Sequence, residues 1–283
     1  MNLCSQKEIR ALLDRHGFRF SKSMGQNFLV EPWVPRQTAE VSGASAGVGV
    51  LEVGPGIGPL TEQLAKLAER VVSVELDKSL LPVLEETMAA YPNVEIVPGD
   101  IMKLDIPALC GEKLAGLPVV ACANLPYNIT TPVITAFLEA GCFQSVTVMI
   151  QREVAQRICA EPGTGEYGAF TVFCQYYADS ALLYDVPPSC FYPAPKVTSS
   201  VIRMAVRGRP PAEVGDPALF FRIGRGAFGQ RRKTLINALQ AVLGLEKALV
   251  RQAVLDCGLP EDVRGERLGF ADFAKLSLAL KEI

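Results

Sequence analysis

The chain has 283 residues, of which 49% are hydrophobic and 20% are charged, and its formal net charge is −2. This is the composition of an ordinary globular protein, and it excludes the fibrous and intrinsically disordered classes. No apolar run approaches the roughly 18 uncharged residues that a membrane span requires. The N-terminal residues lack the apolar centre of a secretory signal. The sequence therefore predicts a cytoplasmic protein without a membrane partner.

Eight cysteines and a single histidine, His16, limit the chemistry that the side chains can provide. The cysteines are scattered without a C-x-x-C pair, so no zinc site of ordinary spacing can be written and no metal is expected. A catalytic thiol is disfavoured as well, because no cysteine is visibly paired with His16.

Charge is distributed unevenly along the chain. Residues 1–36 carry six Lys and Arg against three Asp and Glu, residues 37–199 carry eight against eighteen, and residues 200–283 carry fourteen against nine. Basic ends that flank an acidic centre are typical of a protein that holds a polyanion with its two ends. The alternative is a solvated surface of uneven charge, and charge alone favours it.

Helical and strand patterns alternate along the first half of the chain. Helical spacing of apolar residues predicts a helix over 8–15, and a basic loop with interspersed aromatic residues follows over 19–29. The predicted strands are 50–53, 71–74, 94–97, 118–123 and 145–150, and the predicted helices are 34–41, 59–68, 79–90, 132–140 and one from 153. Apolar strands that alternate with helices predict a parallel sheet covered on both faces.

The second half of the chain changes character at a run rich in proline, glycine and charge, 207–211, which indicates a domain boundary. A loop over 163–168, a helix over 170–178 and extended segments over 181–186 and 197–206 precede this boundary. Four helices are predicted after it, at 217–228, 231–242, 246–257 and 270–282. The sequence therefore predicts an α/β domain over 1–207, beginning with a helical and basic arm, and an all-helical domain over 208–283.

A glycine loop, Gly54-x-Gly56-x-Gly58, follows a predicted strand and precedes a helix, so its backbone can approach a ligand at the helix N-terminus. Glu75 lies about 20 residues further on at the next strand end, where an acid commonly accepts hydrogen bonds from ribose hydroxyls. Asp100, at the third strand end, could accept from an adenine amino group or cap a helix. Together these features favour an adenosine-type cofactor over a simple turn with solvated acids. An NAD-dependent dehydrogenase is disfavoured by the glycine spacing and by the absence of a hydride-site histidine.

The segment Asn124-Leu125-Pro126-Tyr127 follows another predicted strand, and strand ends are where open α/β sheets keep their chemistry. An amide, a proline and an aromatic ring at this place are consistent with a substrate site. A plain turn, with Pro126 setting its backbone angle, is the alternative that these four residues leave open.

Taken in order, the motifs resemble the S-adenosylmethionine-dependent ribosomal RNA adenine dimethyltransferases, and the match is closest to their bacterial small-subunit branch. The resemblance covers nearly the whole chain. It is carried by Lys22-Ser23-Met24-Gly25-Gln26-Asn27-Phe28-Leu29, Gly54-Pro55-Gly56-Ile57-Gly58, Glu75, Gly99-Asp100, Asn124-Leu125-Pro126-Tyr127, Gly165-Glu166-Tyr167-Gly168, Phe191-Tyr192-Pro193-Ala194-Pro195-Lys196-Val197 and Phe228-Gly229-Gln230-Arg231-Arg232-Lys233-Thr234-Leu235. Met24 departs from the usual leucine, and extra length around 110–116 is expected in a surface loop.

The resemblance implies a Rossmann-like class I methyltransferase domain, a small helical RNA-contacting domain, and dimethylation at N6 of two adjacent adenosines in the last hairpin loop of small-subunit (16S) rRNA. The implied partner is the small ribosomal subunit precursor, and a monomer is expected. The implied residues are Asn27, Leu29, Gly54, Gly56, Glu75, Asp100 and Asn124 for S-adenosylmethionine, Asn124, Leu125, Pro126, Tyr127 and Phe191 for catalysis, and Lys22, Arg231, Arg232 and Lys233 for RNA. The alternatives are a large-subunit rRNA adenine methyltransferase of the resistance type, which usually carries isoleucine in place of Leu125, and an RNA-binding assembly factor without turnover.

Overall fold

The computed structural model describes residues 1–19 and 26–281. Its contacts divide the chain into two compact units, one of residues 1–155 and 181–206 and the other of residues 156–180 and 207–283. The segment 156–180 therefore groups with the C-terminal part of the chain, although the sequence suggested a single division near residue 207. The two domains inferred from the sequence stay a prediction, and each unit is described by itself below.

A seven-stranded sheet forms the centre of the first unit. Its strands are β2 (Gly49–Val53), β3 (Arg70–Glu75), β4 (Val94–Pro98), β5 (Val119–Asn124), β6 (Phe143–Gln151), β7 (Ala178–Val186) and β9 (Ser199–Val206). Their order across the sheet is β4-β3-β2-β5-β6-β9-β7. Every residue of β2 is buried, which requires helices on both faces of the sheet, as the apolar strands predict.

The strand order reverses next to β2, because β3 and β4 lie on one side of it and β5 and β6 on the other. These pairs are parallel, so their carboxyl ends meet at one edge of the sheet. Ligands of open α/β sheets bind at such a switch point. The topology therefore brings the glycine loop, Glu75, Asp100 and Asn124 to the same edge.

Two pairings could not be read from the sequence. Strand β9 pairs with β6 in the antiparallel direction, with Gln151 opposite Ser199, so the sheet is mixed rather than all parallel. A separate two-stranded ribbon joins β1 (Phe28–Leu29) to β8 (Phe191–Tyr192). This ribbon places the N-terminal arm beside the segment that contains Phe191.

Among the described residues, seven α-helices belong wholly or partly to the first unit. They are α1 (Gln6–Arg15), α2 (Trp33–Val41), α3 (Pro59–Leu67), α4 (Leu81–Met88), α5 (Ile106–Lys113), α6 (Thr130–Ala140) and the start of α7 (Arg152–Ile158). Leu60 and Leu64 of α3 pack in a core cluster with Val50 and Val120 of the sheet. Full burial of such a side chain contributes roughly 1.5–3 kcal/mol.

The region predicted as a surface loop around 110–116 is largely helical, because α5 extends to Lys113. Asp105 caps this helix through its side chain, which accepts from the Ala108 amide, and Cys110 and Ile106 are buried. The expectation of a loop, which rested on the extra length of this segment, was wrong for residues 110–113, and only residues 114–116 form a turn.

The second unit is built from α8 (Ala169–Tyr177), α9 (Pro217–Gly229), α10 (Leu235–Leu243), α11 (Lys247–Asp256) and α12 (Phe270–Lys281), with the end of α7. Its own core includes Tyr167, Phe220, Leu239 and Phe273. Helix α10 begins at Leu235 rather than at residue 231, because residues 231–234 form a turn in which the Lys233 amide donates to the Gln230 carbonyl. Within the described ranges, no helix has the length and apolar character needed to cross a bilayer.

Candidate active site

A cleft opens at the carboxyl edge of the sheet, within the first unit. All site residues that the sequence assigned to this unit and that the structure describes line this cleft, and they come from six separate segments. They are Asn27, Leu29, Gly54, Gly56, Glu75, Asp100, Asn124, Leu125, Pro126, Tyr127 and Phe191. The structure brings these residues together, and their individual roles stay predictions.

The floor of the cleft is the glycine loop between β2 and α3. Gly54 and Gly56 both have positive φ angles, 70° and 62°, which a residue with a side chain rarely adopts. A Cβ atom at Gly56 would lie 3.3 Å from ring atoms of Phe28. The loop therefore needs glycine both for its backbone angles and for its close approach to the ring of the N-terminal arm.

Glu75 lies at the end of β3 and is 6% exposed. Its Oε1 accepts from the Asp77 amide at 2.7 Å, and the nearby amides of Gly56 and Leu76 also favour the charged carboxylate. Burial raises the pKa of this carboxyl, and the amide donors oppose the rise. Because a carboxylate has about four acceptor positions, these bonds orient Glu75 and leave acceptor capacity for a hydroxyl ligand.

Asp77 was not assigned to the site, although it also lines the cleft. Its carboxylate accepts from Gln26 Nε2 at 2.6 Å, from Ser79 Oγ at 2.6 Å and from the Ser79 amide at 2.9 Å. Burial works against the charged form, yet these donors lower the pKa of Asp77. Its contacts attach the N-terminal arm to β3, which indicates a structural role. The Asp-x-Ser spacing is a turn signal that could have identified it.

Asp100 combines the two interpretations that the sequence left open. Its Oδ1 accepts from the Met102 amide at 3.1 Å, which caps a short 3₁₀ turn, and its Oδ2 lies 3.7 Å from Lys103 Nζ. The residue is half-buried and also lines the cleft. A helix cap and a ligand contact are thus compatible at this position.

The segment from Asn124 to Tyr127 forms one wall of the cleft. It follows β5, which lies on the other side of β2 from β3, the strand that ends in Glu75. Asn124 is the last residue of β5, and the Leu125 amide donates to the Met149 carbonyl of β6 at 3.1 Å. The Pro126 carbonyl accepts from the Ile129 amide and from Thr130 Oγ1, both at 3.2 Å, and so links the segment to α6. The backbone of this turn is therefore held from β6 and from α6.

Two aromatic residues that line the cleft, Tyr127 and Phe191, differ in how much of their surface is exposed. Tyr127 is half-buried, and its hydroxyl lies 2.8 Å from Ser199 Oγ on β9. Phe191 is only 4% exposed and packs in a core cluster with Leu29 and Val201. Phe191 thus lines the cleft as a core aromatic residue, and its stacking on a base stays a prediction.

Glu52 is a buried carboxyl below the glycine loop that the sequence did not assign to the site. Its Oε2 accepts from Thr61 Oγ1 of α3 at 2.7 Å and from Ser73 Oγ of β3 at 2.6 Å. Burial raises the pKa of Glu52 to about 7. Acidic residues are almost never fully buried unless they are paired, so an acid inside an apolar strand was the signal that could have identified it.

Three of the four predicted RNA-contacting residues, Arg231, Arg232 and Lys233, are consecutive and are described by the structure. Lys22 lies outside the described residues. Arg232 and Lys233 are exposed in the turn before α10. Arg231 instead donates through Nη1 to the Gly165 carbonyl at 2.8 Å and through Nη2 to the Tyr167 carbonyl, so its guanidinium is engaged within the second unit.

Comparison with solved structures identifies the class. The fold is similar to that of the 23S rRNA methyltransferase ErmE, with a TM-score of 0.70 and 25% identity over 90% of this chain and 100% of that one. It is also similar to a dimethyladenosine transferase from Plasmodium falciparum, with a TM-score of 0.74 and 23% identity over 90% of this chain and 97% of that one. The fold is that of the class I, Rossmann-like methyltransferases, which confirms the predicted fold class.

The model of the ribosomal RNA adenine dimethylase family matches residues 17–277, and the chain belongs to that family. A curated relative, ribosomal RNA small subunit methyltransferase A of Alkaliphilus oremlandii, is 44% identical over 97% of this chain and 96% of its own length. The family that the sequence motifs indicated is thereby confirmed.

Proposed function

We propose that this protein transfers methyl groups from S-adenosylmethionine to N6 of two adjacent adenosines in the 3′-terminal hairpin loop of 16S rRNA. The substrate would be a precursor of the small ribosomal subunit in the cytoplasm, and the enzyme would act as a monomer. The proposal rests on one observation: the segment Asn124–Tyr127, the glycine loop and Glu75 all line the same cleft. The small-subunit assignment is supported by the name of the relative at 44% identity.

The chemistry of the cleft fits S-adenosylmethionine. Gly54 and Gly56 leave the backbone open to close approach at the start of α3, where a Cβ would restrict it. Glu75 provides an oriented carboxylate for ribose hydroxyls, and Asp100 a second acceptor for the adenine amine. Asn27 and Leu29 would contribute from the arm, and Leu29 is buried, so its contribution would come from the backbone.

When bound, S-adenosylmethionine supplies a methyl group already activated by the sulfonium charge, so the protein has to orient the acceptor nitrogen. An exocyclic adenine amine is a weak nucleophile because its lone pair is conjugated with the ring. The Asn124 side-chain oxygen and the Leu125 carbonyl would accept its two N–H groups and favour a pyramidal nitrogen. Pro126 restricts the backbone that directs that carbonyl. No strong base is required, since the product ammonium can lose its proton to water.

Tyr127 would hold the base. An enzyme that modifies a base has to remove it from the stack, and it recovers part of that cost by stacking the base on an aromatic side chain. The half-buried ring of Tyr127 next to Asn124 is suited to this role, with Phe191 as the predicted second face. A second transfer to the same nitrogen requires a pocket that retains the monomethylated amine.

RNA affinity would come from phosphate contacts at the basic ends of the chain. The exposed Arg232 and Lys233 are available for such contacts, and Lys22 is the proposed contact of the arm. Arg231 contributes less directly, because its guanidinium already binds two carbonyl groups.

The test is transfer of labelled methyl groups to small subunits from a strain that lacks the modification, with the modified nucleotide identified by mass. We expect N6,N6-dimethyladenosine in small-subunit rRNA. Asn124→Ala should lower the rate about a hundredfold or more, the loss seen when one preorganised hydrogen-bonding group is removed from an active site. The variant should bind S-adenosylmethionine within a few-fold of wild type by calorimetry.

Two results would contradict the proposal. Methylation of large-subunit rRNA with none in the small subunit would favour the resistance-type alternative. Binding to the small subunit without any transfer by the wild-type protein would favour an assembly factor. Transfer by Asn124→Ala at a rate near that of wild type would remove Asn124 from catalysis and leave the substrate assignment in place.

A further inference from the structure

We infer that Ser199 is a positioning residue for methyl transfer, acting through the ring of Tyr127. The inference rests on the proposed function, in which Tyr127 stacks on the target adenine. Ser199 lies 72 positions from Tyr127 in the sequence, and the two side chains meet only in the folded protein.

The contact joins the substrate wall to a different part of the sheet. Tyr127 begins the short 3₁₀ turn that follows β5, and Ser199 is the first residue of β9. Strand β6 lies between β5 and β9 in the sheet, and Ser199 is opposite Gln151 at the end of β6. The hydrogen bond of 2.8 Å therefore joins two hydroxyls from segments that flank β6, one on each side of this strand.

The two ends of this bond differ in burial and in the element that holds them. Ser199 is 1% exposed, and its backbone is part of the β6–β9 pairing, so its hydroxyl stays in place. Tyr127 lies in a turn after the strand, and its ring is half-buried beside the cleft. Burial raises the pKa of the Tyr127 phenol, which keeps the hydroxyl neutral and able to donate or accept in this bond.

A bond at the phenol oxygen restricts the ring in a way that the backbone cannot. The Cα end of Tyr127 is held by the turn, and the hydroxyl end is held by Ser199, so the side chain is fixed at both ends. A ring that is already oriented loses less conformational freedom when a base stacks on it. Ser199 would therefore act on capture of the adenine and leave cofactor binding unaffected.

The reaction makes this role measurable, because each adenosine receives two methyl groups. The base has to be held, or captured again, after the first transfer. A loosely held ring releases monomethylated adenosine more often, so the ratio of mono- to dimethylated product rises. A residue that only supports folding would lower the amount of active protein without changing this ratio.

A matched control lies next to Ser199 on the same strand. Ser200 is fully buried, and its hydroxyl donates to Asp185 Oδ1 of β7 at 2.6 Å. Adjacent residues of a strand point to opposite faces of the sheet, so the Ser200 hydroxyl does not reach Tyr127. Ser200→Ala thus removes an equally buried hydroxyl and one hydrogen bond without touching the proposed contact.

The experiment compares Ser199→Ala, Ser199→Thr and Ser200→Ala with wild type in the methyl-transfer assay, under conditions of limited turnover. We expect Ser199→Ala to lower kcat/KM for the small subunit by roughly two- to tenfold, the size expected for loss of one side-chain hydrogen bond. The fraction of monomethylated adenosine should rise, and the KM for S-adenosylmethionine should stay unchanged. Ser199→Thr, which keeps the hydroxyl, should restore both quantities, and Ser200→Ala should match wild type.

Tyr127→Phe removes the same bond from the other side and serves if Ser199→Ala does not fold. In the double variant, which combines Tyr127→Phe with Ser199→Ala, kcat/KM should fall no further than in either single variant, because both substitutions remove the same hydrogen bond. The inference would be overturned if Ser199→Ala left the ratio of mono- to dimethylated product unchanged. It would also be overturned if Ser199→Ala and Ser200→Ala lowered kcat/KM equally. Absence of transfer by wild type would instead count against the proposed function.

Discussion

The carboxyl of Glu52 lies in the centre of the sheet, where it connects β2 to β3 and α3 through two hydroxyl donors. Its pKa is raised from 4.5 to about 7, first by burial and further by the negative charge of Glu75. The folded state therefore binds this proton more tightly than the unfolded chain does. The stability that the protonated form contributes is complete below pH 4.5 and is lost as the pH rises through 7.

Replacement of Glu52 by glutamine should remove this loss. Glutamine keeps an acceptor oxygen for Thr61 and Ser73 but carries no charge at any pH. We expect Glu52→Gln to be more stable than wild type at pH 8, with a difference on the order of 3 kcal/mol at most. The measurement is the free energy of unfolding by urea at several pH values between 4 and 8.

The exposed carboxyl of Glu85 on α4 provides the control. Glu85→Gln should follow the wild-type dependence of unfolding free energy on pH. If Glu52→Gln were less stable than wild type at pH 8, the buried carboxyl would be a stabilising charge and its raised pKa would be wrong.

At the scale of a single element, the loop from β2 to α3 depends on glycine for two separable reasons. Positive φ angles are one reason, and the contact between Gly56 and the Phe28 ring is the other. Gly47 offers a comparison, because its φ is 77° and a Cβ there would meet no atom within 4 Å. Comparison of the two glycines separates backbone strain from the close packing of the glycine loop against the Phe28 ring.

Gly56→Ala should therefore impair the protein in two ways, in stability and in cofactor binding, whereas Gly47→Ala should lower stability alone. Both substitutions should lower the free energy of unfolding by about 1 kcal/mol or more, because a left-handed conformation is unfavourable for alanine. Only Gly56→Ala should weaken S-adenosylmethionine binding, by about tenfold or more in calorimetry, which corresponds to 1.4 kcal/mol. Equal cofactor affinity in the two variants would mean that the loop does not contact the cofactor closely.

For the whole molecule, the proposed function assigns RNA binding to the two basic ends of the chain. The three cationic side chains in the turn before α10 differ in their hydrogen bonds. Arg231, Arg232 and Lys233 are all exposed, but the guanidinium of Arg231 is hydrogen bonded to the carbonyls of Gly165 and Tyr167. Phosphate contacts release counterions and set the salt dependence of RNA affinity. Because the Arg231 guanidinium already donates to two carbonyl groups, Arg232 and Lys233 should contribute most of that dependence.

The double substitution of Arg232 and Lys233 by alanine should flatten the plot of log affinity for RNA against log salt by about one to two units of slope. Arg231→Ala should change this slope little and should lower the melting temperature, because two carbonyl groups lose their donor. Binding curves at several salt concentrations, together with thermal unfolding, distinguish the two effects. A slope change in Arg231→Ala as large as in the double variant would show that Arg231 contacts phosphate.

Local features of the chain determined much of this protein. Apolar runs and helical spacing predicted the order of strands and helices, with ends that agree with the structure within a few residues in most cases. Their position at predicted strand ends identified the Gly54 loop and the Asn124 segment as candidate site segments, and parallel pairing explains why these distant strand ends share one edge. The resemblance rested on the same motifs, so the family could be stated before any contact was known.

Only the tertiary structure decided the contacts between distant side chains. It set β9 antiparallel beside β6, folded the segment around Cys110 into a helix, and directed Arg231 to two backbone carbonyls. It also brought Ser199 to the hydroxyl of Tyr127 and enclosed Glu52 among hydroxyl groups. Periodicity and turn chemistry are local, whereas these partners are selected by how strands and helices pack. The sequence therefore located the cleft, and packing determined which side chains support it.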